Sequence, residues 1–350
     1  MRMDEVPFVS VVAPVRNEVR MIPALLSGLT AQSYPADRLE IVVADGMSDD
    51  GTGELLRALS AGNPGLRIVE NPAGTAAAGL NAAISVTRGT VIVRMDAHTT
   101  YAPDYVVRCV EALRSSGADN VGGPWVALGR GAWGKAIAAA LRSPFGVGGG
   151  RSHDPTFEGE VDTVYLGCWP RTTFERFGLF DESLVRNQDD EHNLRITRGG
   201  GVIWQSPSIR SWYTPRSSLA GLFRQYSQYG YWKVRVIRKH HLPASFRHVI
   251  PPFFVLGLGT GWLAAFVSPA VFAAYAGAVV LYAGLLIVFS AATAAKFGWG
   301  NLSRLPAVFV TYHVSYGWGF LRGILDTALA RHGAGREMTR LSRGPVEGSR

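Results

Sequence analysis

The sequence predicts an α/β protein with a mostly parallel sheet, covered by helices on both faces, followed by an α-helical membrane region. Over the first 125 residues, short β-rich runs alternate with helical patterns, which is typical of strand–helix–strand units. The expected strands are residues 8–13, 40–44, 66–70, 90–95 and 120–125. The expected helices are residues 18–32, 51–61, 75–87 and 103–115, with a later strand at 161–166 and a later helix at 189–197.

The membrane region is predicted from a change in composition after Val249. Residues 250–267 and 269–290 are almost entirely apolar, and each is long enough to cross a bilayer, so we expect a tight helical hairpin. Residues 305–325 are apolar but include a histidine and an arginine; they either span the bilayer or, as the basic tail after them favours, re-enter or lie in the interface. Residues 1–7 are polar, and the apolar run 8–12 is too short for the core of a signal peptide. We therefore expect no signal peptide, which leaves the amino-terminal domain in the cytoplasm.

The charge of the chain also points to a membrane surface. The formal net charge is +8, and between Arg195 and Arg247 basic residues alternate with tyrosines and tryptophans directly before the apolar region. Basic and aromatic residues beside an apolar span are typical of a membrane surface rather than a nucleic-acid groove. Lysines and arginines flanking the hairpin favour the cytoplasmic face of the inner membrane. The two cysteines, Cys109 and Cys168, have no metal-motif spacing and are expected to be reduced.

These patterns divide the chain into four parts. The expected boundaries are 1–215 for a cytoplasmic catalytic domain, 216–248 for basic interfacial helices, 249–330 for membrane helices and 331–350 for a disordered basic tail. Residues 216–239 have apolar side chains at helical spacing, which fits either an interfacial helix or a helix packed into the core. On the interfacial interpretation, the candidates for binding the phosphates of a lipid-linked acceptor are Arg210, Arg216, Arg224 and Lys233.

Polar clusters follow three of the expected strands. They are residues 14–18, residues 45–52 and residues 96–98. In open α/β sheets, ligands bind beyond the carboxyl ends of the strands. Asp49 or Asp50 could simply cap the next helix, but Asp45 closes an apolar run and needs a partner there.

The third cluster predicts a metal site. Asp96 and His98 flank a single residue, so both side chains can face a common ion. Carboxylate and diphosphate oxygens suit Mg²⁺ or Mn²⁺, and an imidazole ligand shifts the preference towards Mn²⁺. The alternative is that His98 is only a turn residue.

A loop of small residues, 71–81, runs into an expected helix. Small residues such as Gly74 let a nucleotide approach the backbone, and a helix start favours anions. The loop has neither a G-x-G-x-x-G pattern nor a P-loop, which disfavours dinucleotide-binding and kinase functions.

Taken together, five motifs resemble family 2 glycosyltransferases of the GT-A fold, in particular the succinoglycan-biosynthesis type. They are residues 11–18, 45–52, 95–98, 187–191 and 225–232. The resemblance implies that Pro14, Arg16 and Glu18 line the nucleotide pocket and that Asp45 binds the base. With the loop residues added, the candidate nucleotide-binding set is Pro14, Arg16, Asn17, Glu18, Asp45, Ser48, Gly74, Asn81 and Asp96.

The resemblance also implies catalytic and acceptor-binding residues. Asp96 and His98 stand where the family has its D-x-D metal motif, with a histidine in place of the second aspartate. Asp189 corresponds to the catalytic base of the family's E-D pair, with Asp190 as a rival and Glu191 completing the acidic run. The Q-x-x-R-W motif of processive synthases is present only as Gln228, Tyr231 and Trp232, and loss of its arginine favours addition of a single sugar. Gln228 and Trp232 join the acceptor-binding candidates.

The expected function is inverting, metal-dependent transfer of one sugar to a polyprenyl-(di)phosphate-linked saccharide for exopolysaccharide or envelope glycan synthesis. The pocket around Asp45 favours a UDP-sugar, such as UDP-glucose or UDP-glucuronate, over GDP-mannose. The alternatives are a polyprenyl-phosphate-monosaccharide synthase and an inactive membrane scaffold. Residues 143–153 are rich in glycine and are expected to form either a lid over the donor or a plain surface loop.

Overall fold

A computed structural model describes residues 6–241, 248–329 and 336–340. Within these residues the chain forms two compact units. The first contains residues 6–126 and 151–213, and the second contains residues 127–150 together with everything described after 213. Residues 127–150 therefore group with the helical part of the chain and not with the sheet. Most of the expected disordered tail, 331–350, lies outside the described residues.

The first unit is built on an eight-stranded sheet with the order β3-β2-β1-β4-β8-β6-β9-β7. Strands β1 to β4 are parallel, and β8 runs antiparallel to both β4 and β6. A separate two-stranded sheet pairs β5 with β10. The strands are β1 (Val9–Val15), β2 (Leu39–Asp45), β3 (Leu66–Glu70), β4 (Val91–Arg94), β5 (Thr99–Tyr101), β6 (Asn120–Gly123), β7 (Gly159–Glu160), β8 (Tyr165–Pro170), β9 (Ile203–Gln205) and β10 (Ser211–Tyr213).

Helices cover both faces of the sheet and make up most of the second unit. They are α1 (Ile22–Thr30), α2 (Thr52–Ser60), α3 (Ala76–Val86), α4 (Tyr105–Ser116), α5 (Gly131–Leu141), α6 (Pro144–Val147), α7 (Arg171–Phe177), α8 (Gln188–Arg198), α9 (Leu219–His240), α10 (Ile250–Thr260), α11 (Pro269–Phe297), α12 (Leu305–Ala328) and α13 (Arg336–Thr339). The predicted α/β architecture with a mostly parallel sheet is confirmed.

Burial on both faces explains why the central strands read as apolar runs. In β1, Val9, Val11 and Ala13 join one hydrophobic cluster, whereas Val12 joins the other. Successive side chains of a strand point to opposite faces, so a strand covered by helices on both sides needs apolar residues throughout. This pattern made β1 to β4 and β6 recognisable to within a few residues.

The expected strand at 161–166 is displaced in the structure. Strand β7 ends at Glu160, and the next strand, β8, begins only at Tyr165. Leu166 and Gly167 have positive φ angles of 66° and 120°, and the pairing of β6 with β8 shifts register between Val121 and Gly123. A local irregularity of this kind has no signature in hydrophobic alternation.

The second unit holds α9 and α12 together through glycines. A Cβ atom on Gly319 would collide with the carbonyl of Ser227, and one on Gly230 would collide with the carbonyl of Tyr316. Gly323, four residues after Gly319, lies similarly close to the carbonyl of Tyr231. Small residues four apart that let two backbones approach are typical of packing between membrane helices.

Among the described residues, α11 is the one helix long and apolar enough to cross a membrane. It has 29 residues and a mean hydropathy of 2.3 over its most apolar stretch, none of which is buried. The first helix of the expected hairpin is shorter than predicted. Residues 250–267 fold as the 11-residue α10 followed by a 3-10 segment, Gly261–Phe266. The Ser268 hydroxyl accepts a hydrogen bond from Val271 N–H at 3.2 Å and caps α11.

The glycine-rich stretch after α5 is anchored within the second unit. Phe145 in α6 stacks on Phe289 at 4.6 Å between ring centroids, and its carbonyl is 2.6 Å from Nε2 of His313. The imidazole of His313 is in turn 3.0 Å from the hydroxyl of Tyr282. This anchoring favours an ordered connection over the mobile lid that we considered for residues 143–153.

Candidate active site

The carboxyl end of β2 forms a network with the loop after β1. Asp45 Oδ1 accepts a hydrogen bond from the Ser48 hydroxyl at 2.6 Å, and the same hydroxyl accepts the N–H of Asn17 at 2.9 Å. Asn17 Oδ1 accepts the N–H of Asp49 at 3.0 Å. Asn17 and Met47 both have left-handed φ angles, 53° and 56°, which the side-chain hydrogen bonds around them support. Two strand ends are thereby locked to each other, with the carboxylate of Asp45 partly exposed.

The acids that follow Asp45 fix the start of α2. Asp50 accepts hydrogen bonds from the N–H groups of Thr52 and Val19, at 3.0 and 3.1 Å, and the Thr52 hydroxyl accepts the N–H of Glu18 at 2.9 Å. Burial is the largest single influence and raises the pKa of Asp50, but the hydrogen bonds from the Thr52 hydroxyl and from the N–H groups of Val19 and Thr52 together outweigh it and lower the pKa overall. Asp50 therefore organises the loop around Glu18.

The small-residue loop lies beside the same strand ends. The N–H of Asn71 donates to the carbonyl of Asp45 at 2.8 Å, and Gly74 has a φ of 67°. A Cβ atom on Gly74 would collide with the guanidinium of Arg16. Gly74 is thus required both by its backbone conformation and by the close approach of Arg16, and the structure brings Arg16, Asp45 and Gly74 together.

Asn81 lies in α3 and forms hydrogen bonds within the fold. Its amide group donates to the carbonyl of Phe180 at 2.9 Å and to Glu182 Oε1 at 2.8 Å, and its oxygen accepts the N–H of Phe180 at 3.0 Å. These bonds tie α3 to the segment that precedes α8. A direct role for Asn81 in nucleotide binding stays a prediction.

The end of β4 carries a buried ion pair. Arg94 donates from Nε to Asp96 Oδ1 and from Nη2 to Asp96 Oδ2, both at 2.8 Å. Both side chains are buried, at 8% and 10% exposure. The backbone of Asp96 is also fixed, because its carbonyl accepts the Tyr101 hydroxyl at 3.1 Å and the N–H of Thr99 at 3.2 Å.

Aromatic side chains from three strand ends surround this pair. The Tyr165 hydroxyl is 2.6 Å from the Thr99 hydroxyl, and its ring stacks on Trp125 at 5.5 Å between centroids. The ring of His98 lies edge-on to Tyr213 at 5.7 Å. Burial first, and the nearby charge of Asp96 second, raise the pKa of Tyr165 well above its usual value, so its hydroxyl keeps its proton.

The acidic run 189–191 occupies the first turn of α8. Asp189 and Asp190 are partly exposed, and Asp189 Oδ1 accepts the N–H of Asp190 at 2.9 Å. Glu191 is fully buried and receives two hydrogen bonds from Nε of Arg195, at 2.9 and 3.0 Å. The negative charge of Asp189 also contributes to the raised pKa of Arg94, after the charge and hydrogen bonds of Asp96.

Asp96 and His98 are the two residues at this place that could hold a divalent cation. Among the described residues there is no group of three or more His, Cys, Asp or Glu side chains arranged to hold a metal. A carboxylate at Asp96 and a partly exposed imidazole at His98, two residues away, are donor types that Mn²⁺ and Mg²⁺ accept. The residues present therefore fit a cation whose other ligands come from a bound diphosphate.

The acceptor candidates fall into both units. In the first, Arg210 is exposed and forms an ion pair with Asp104 at 3.5 Å. In the second, Arg216 donates to Gln225 Oε1 at 3.3 Å and Arg224 is exposed, whereas Lys233 is buried.

Gln228 and Trp232 contact the carboxyl-terminal segment. Gln228 donates to the carbonyl of Glu337 at 2.8 Å, and the indole N–H of Trp232 donates to the carbonyl of Met338 at 2.9 Å. Trp232 is buried, so its ring faces protein in this conformation. On α9, the buried side chains include Leu222 and Trp232, which agrees with a helix packed into a core along that face.

The sequence matches known proteins over most of its length. Residues 10–146 match the family model described as glycosyl transferase family 2. The matched stretch contains the network around Asp45 and the Arg94–Asp96 pair. Residues 10–146 are thus similar to glycosyltransferase family 2.

Two relatives align with nearly the whole chain. It is 29% identical over 328 residues to the succinoglycan biosynthesis protein ExoA of Rhizobium meliloti, covering 90% of this chain and 94% of that protein. It is 23% identical over 333 residues to the dolichyl N-acetyl-alpha-D-glucosaminyl phosphate 3-beta-D-2,3-diacetamido-2,3-dideoxy-beta-D-glucuronosyltransferase of Methanococcus voltae, covering 91% and 97%.

The fold of the chain is shared with a solved structure. The mannosyltransferase PcManGT from Pyrobaculum calidifontis, in complex with GDP-Man and Mn²⁺, has a TM-score of 0.58 and 21% identity, covering 90% of this chain and 88% of that chain. The similarity confirms the predicted GT-A fold.

The sequence alone did not single out Arg94 or Tyr165. Both are contributed by strands, and each reads as an ordinary strand residue beside a motif. The available signal was an arginine as the last residue of a buried apolar run, which needs a carboxylate partner for the same reason that Asp45 needs one.

Proposed function

We propose that this chain is a glycosyltransferase that moves one sugar, with inversion, from a nucleotide sugar to a saccharide carried on a polyprenyl (di)phosphate at the cytoplasmic face of the inner membrane. The observation that carries the proposal is the match of residues 10–146 to glycosyl transferase family 2, a stretch that contains the buried Arg94–Asp96 pair. The charge of Asp189 also acts on Arg94, which supports this partly exposed acid as the base.

Asp189 takes the proton of the acceptor hydroxyl in this proposal. The hydroxyl oxygen forms a bond to the sugar carbon as the bond to the diphosphate breaks, and the nucleoside diphosphate leaves. General-base assistance of this kind contributes about 10²–10⁴-fold to the rate. The hydrogen bond from Asp190 N–H fixes the carboxylate of Asp189. Glu191 is excluded from substrate contact in this proposal because its carboxylate is buried and paired with Arg195.

The donor binds along the strand ends of β1, β2 and β4. Asp45 faces the base, Arg16 and Gly74 flank the phosphates, and Asp96 with His98 would hold Mn²⁺ or Mg²⁺. When bound, such a cation stabilises the charge that develops on the leaving diphosphate. We favour a UDP-sugar, such as UDP-glucose or UDP-glucuronate, because Asp45 suits a pyrimidine.

Attachment to the membrane is supported by α11, whose apolar surface is exposed over its whole most hydrophobic stretch. A membrane-bound enzyme meets a lipid-linked acceptor without extracting it from the bilayer. The full-length match to a transferase named for a dolichyl-phosphate sugar supports an acceptor that already bears a sugar. Arg216 and Arg224, in the second unit, are the proposed contacts for its phosphates, since Lys233 of the same unit is buried.

A second function is kept because of one shorter match. Over 125 residues the chain is 33% identical to an undecaprenyl-phosphate 4-deoxy-4-formamido-L-arabinose transferase of Aeromonas hydrophila, of which it covers 38%. This match supports a polyprenyl-phosphate-monosaccharide synthase. The product mass after incubation with polyprenyl phosphate or with a diphosphate-linked sugar distinguishes the two functions.

The decisive experiment compares D189N with D190N in the detergent-solubilised full chain. Thermal-shift screening of UDP- and GDP-sugars, with and without Mn²⁺, first identifies the donor. We expect D189N to lose transfer by at least about 100-fold while binding the donor as the wild type does, and D190N to retain most of its turnover. A D189N variant that kept most of its turnover would refute the assignment of the base.

A further inference from the structure

The Arg94–Asp96 pair is buried and bidentate. Its two hydrogen bonds are parallel, both 2.8 Å long, and they engage both carboxylate oxygens. A bidentate arginine–carboxylate pair fixes the plane and direction of the carboxylate as well as its position. Arg94 is the last residue of β4, in the middle of the sheet, so its backbone is held by neighbouring strands.

The charge of Arg94 acts beyond Asp96. Burial alone would lower the pKa of the guanidinium, but the charge and hydrogen bonds of Asp96, and then the charge of Asp189, outweigh burial and raise that pKa. One buried cation therefore interacts with both acids that we place in the reaction. Placing two carboxylates in one partly buried site without such a cation would be costly, because like charges repel strongly where water is excluded.

We propose that Arg94 is a positioning residue of the transfer reaction: it orients the carboxylate of Asp96 for the donor's diphosphate and its cation, and its fixed charge offsets the repulsion between Asp96 and Asp189. The inference rests on the proposed function, since it assumes that these two acids serve the donor and the acceptor. Arg94 itself touches neither substrate.

Two substitutions separate orientation from charge. Lysine keeps a positive charge but has no planar fork, so R94K releases the orientation of Asp96. Methionine has a similar length and no charge, so R94M removes both contributions. We expect turnover to fall about 10-fold in R94K and about 100-fold in R94M, which is the size of loss that a misplacement of about 1 Å produces.

Metal binding gives a readout that a merely structural arginine would not change. In R94M the site has one positive charge fewer and the lone pairs of Asp96 are released, so Mn²⁺ should bind several-fold more tightly even though turnover falls. In R94K the affinity for Mn²⁺ should stay within about threefold of the wild type, because the local charge is kept. The measurement is electron paramagnetic resonance titration of Mn²⁺ in the presence of UDP, on the full chain in detergent.

Arg171 provides a matched control. Its guanidinium donates to the carbonyls of Gly89 and Thr87, at 2.7 and 2.9 Å, next to the opposite end of β4. R171M removes hydrogen bonds made by a part-buried arginine at the start of α7, directly after β8 of the same sheet, so it should lower the melting temperature. Its turnover per folded molecule and its affinity for Mn²⁺ should match the wild type.

The results distinguish this inference from the proposed function. Turnover in R94M within threefold of the wild type, or a lowered melting temperature with unchanged Mn²⁺ affinity in both Arg94 variants, would overturn the role of Arg94. If D189N were inactive and R94M active, only that role would fail. If D189N kept its turnover, the proposed base would fail, and the electrostatic half of the role of Arg94 with it. Should R94M not fold, the orientation half is decided by R94K alone.

Discussion

Asn81 and Phe180 exchange two hydrogen bonds in the manner of paired strand residues. The side-chain amide of Asn81 donates to the carbonyl of Phe180 at 2.9 Å, and the N–H of Phe180 donates back to the Asn81 oxygen at 3.0 Å. Both residues are buried, and the segment that they hold leads into α8, which carries Asp189. A helix on the nucleotide side of the sheet is thus tied to the approach of the proposed base.

Replacing Asn81 with alanine should destabilise the first unit by about 3 kcal/mol, because it leaves the N–H and C=O of Phe180 buried without partners. Urea unfolding measures this loss, and N63A, in a surface turn, serves as the control. If Asn81 acts chiefly on the nucleotide, the substitution will instead weaken UDP binding while the midpoint of unfolding stays unchanged.

The hydroxyl of Ser48 should matter for nucleotide binding although it sits behind Asp45. In S48A, Asp45 loses a hydrogen bond of 2.6 Å and Asn17 N–H loses its acceptor, so the two strand ends are no longer locked together. Two such bonds are worth about 1 kcal/mol each, and we expect UDP affinity to fall by about tenfold or somewhat more. Isothermal titration calorimetry measures the change. S60A, whose hydroxyl only caps α2 at Arg57, should bind UDP normally, and equal affinities in both variants would contradict the prediction.

His192 should make the protein less stable in acid. It lies on α8 between the rings of Phe174 and Phe180, and burial, followed by the charge of Arg195, lowers its pKa to about 4. Between pH 6.5 and about 4 the unfolded chain takes up a proton that the folded chain does not. Stability therefore falls as the pH drops through this range, by up to about 3 kcal/mol.

The variant H192F tests this origin of the acid sensitivity. Phenylalanine matches the aromatic surroundings and does not titrate, so the melting temperature of H192F should depend less on pH between 6.5 and 4 than that of the wild type. H241N, at an exposed position with a left-handed φ of 60°, should keep the wild-type dependence. An unchanged slope in H192F would show that other groups cause the loss.

The comparison of sequence with structure separates two kinds of residue. Asp45 and Asp96 were predictable as strand-end residues because polar residues that directly follow apolar runs mark the ligand-binding edge of a parallel sheet. Asp189, in the first turn of α8, was proposed only from the resemblance to the family. Arg94 was missed because its partner is two residues away across a strand end, and no periodicity reports whether two such side chains turn towards each other. Asn81 was predictable as a loop-to-helix residue, but its bonds to Phe180 span 99 positions and depend on tertiary folding.

The apolar helices likewise show what the sequence predicts and what it does not. Composition located the apolar segments correctly, but it did not show that residues 250–266 form an 11-residue helix and a 3-10 segment. Pro251 and Pro252 start that helix, and Gly257, Gly259 and Gly261 weaken its continuation, so backbone preference rather than hydropathy limits its length. Residues 127–150 were expected in the catalytic domain because they lie between its strands in sequence. Their side chains, such as Phe145, pack against helices that come much later.

Gly319 should be intolerant of even the smallest side chain. A Cβ atom there meets the carbonyl of Ser227, which belongs to the backbone of α9 and cannot move without separating α9 from α12. We expect G319A to lower the melting temperature of the detergent-solubilised protein by several degrees. G284A, on exposed α11 where a Cβ atom meets nothing within 4 Å, should be neutral or stabilising by up to about 1 kcal/mol. Equal melting temperatures would show that α9 and α12 can adjust to the added methyl group.

Trp232 and Gln228 should hold the carboxyl-terminal segment in place. The indole N–H donates to Met338, the Gln228 amide donates to Glu337, and Met338 is itself 4% exposed. W232F keeps an aromatic ring but loses the indole donor, and Q228A loses the amide. Each loss should weaken the contact by about 1 kcal/mol, and the double variant should weaken it by about twice that amount if the two bonds act independently.

Hydrogen–deuterium exchange of the amides of residues 336–340 should accordingly rise about fivefold in each single variant. Y229F retains the contact and should exchange as the wild type does. If exchange at 336–340 stayed unchanged in W232F and Q228A, the remnant of the family's Q-x-x-R-W motif would have to be explained by another contact, and binding of the acceptor saccharide would be the first to test.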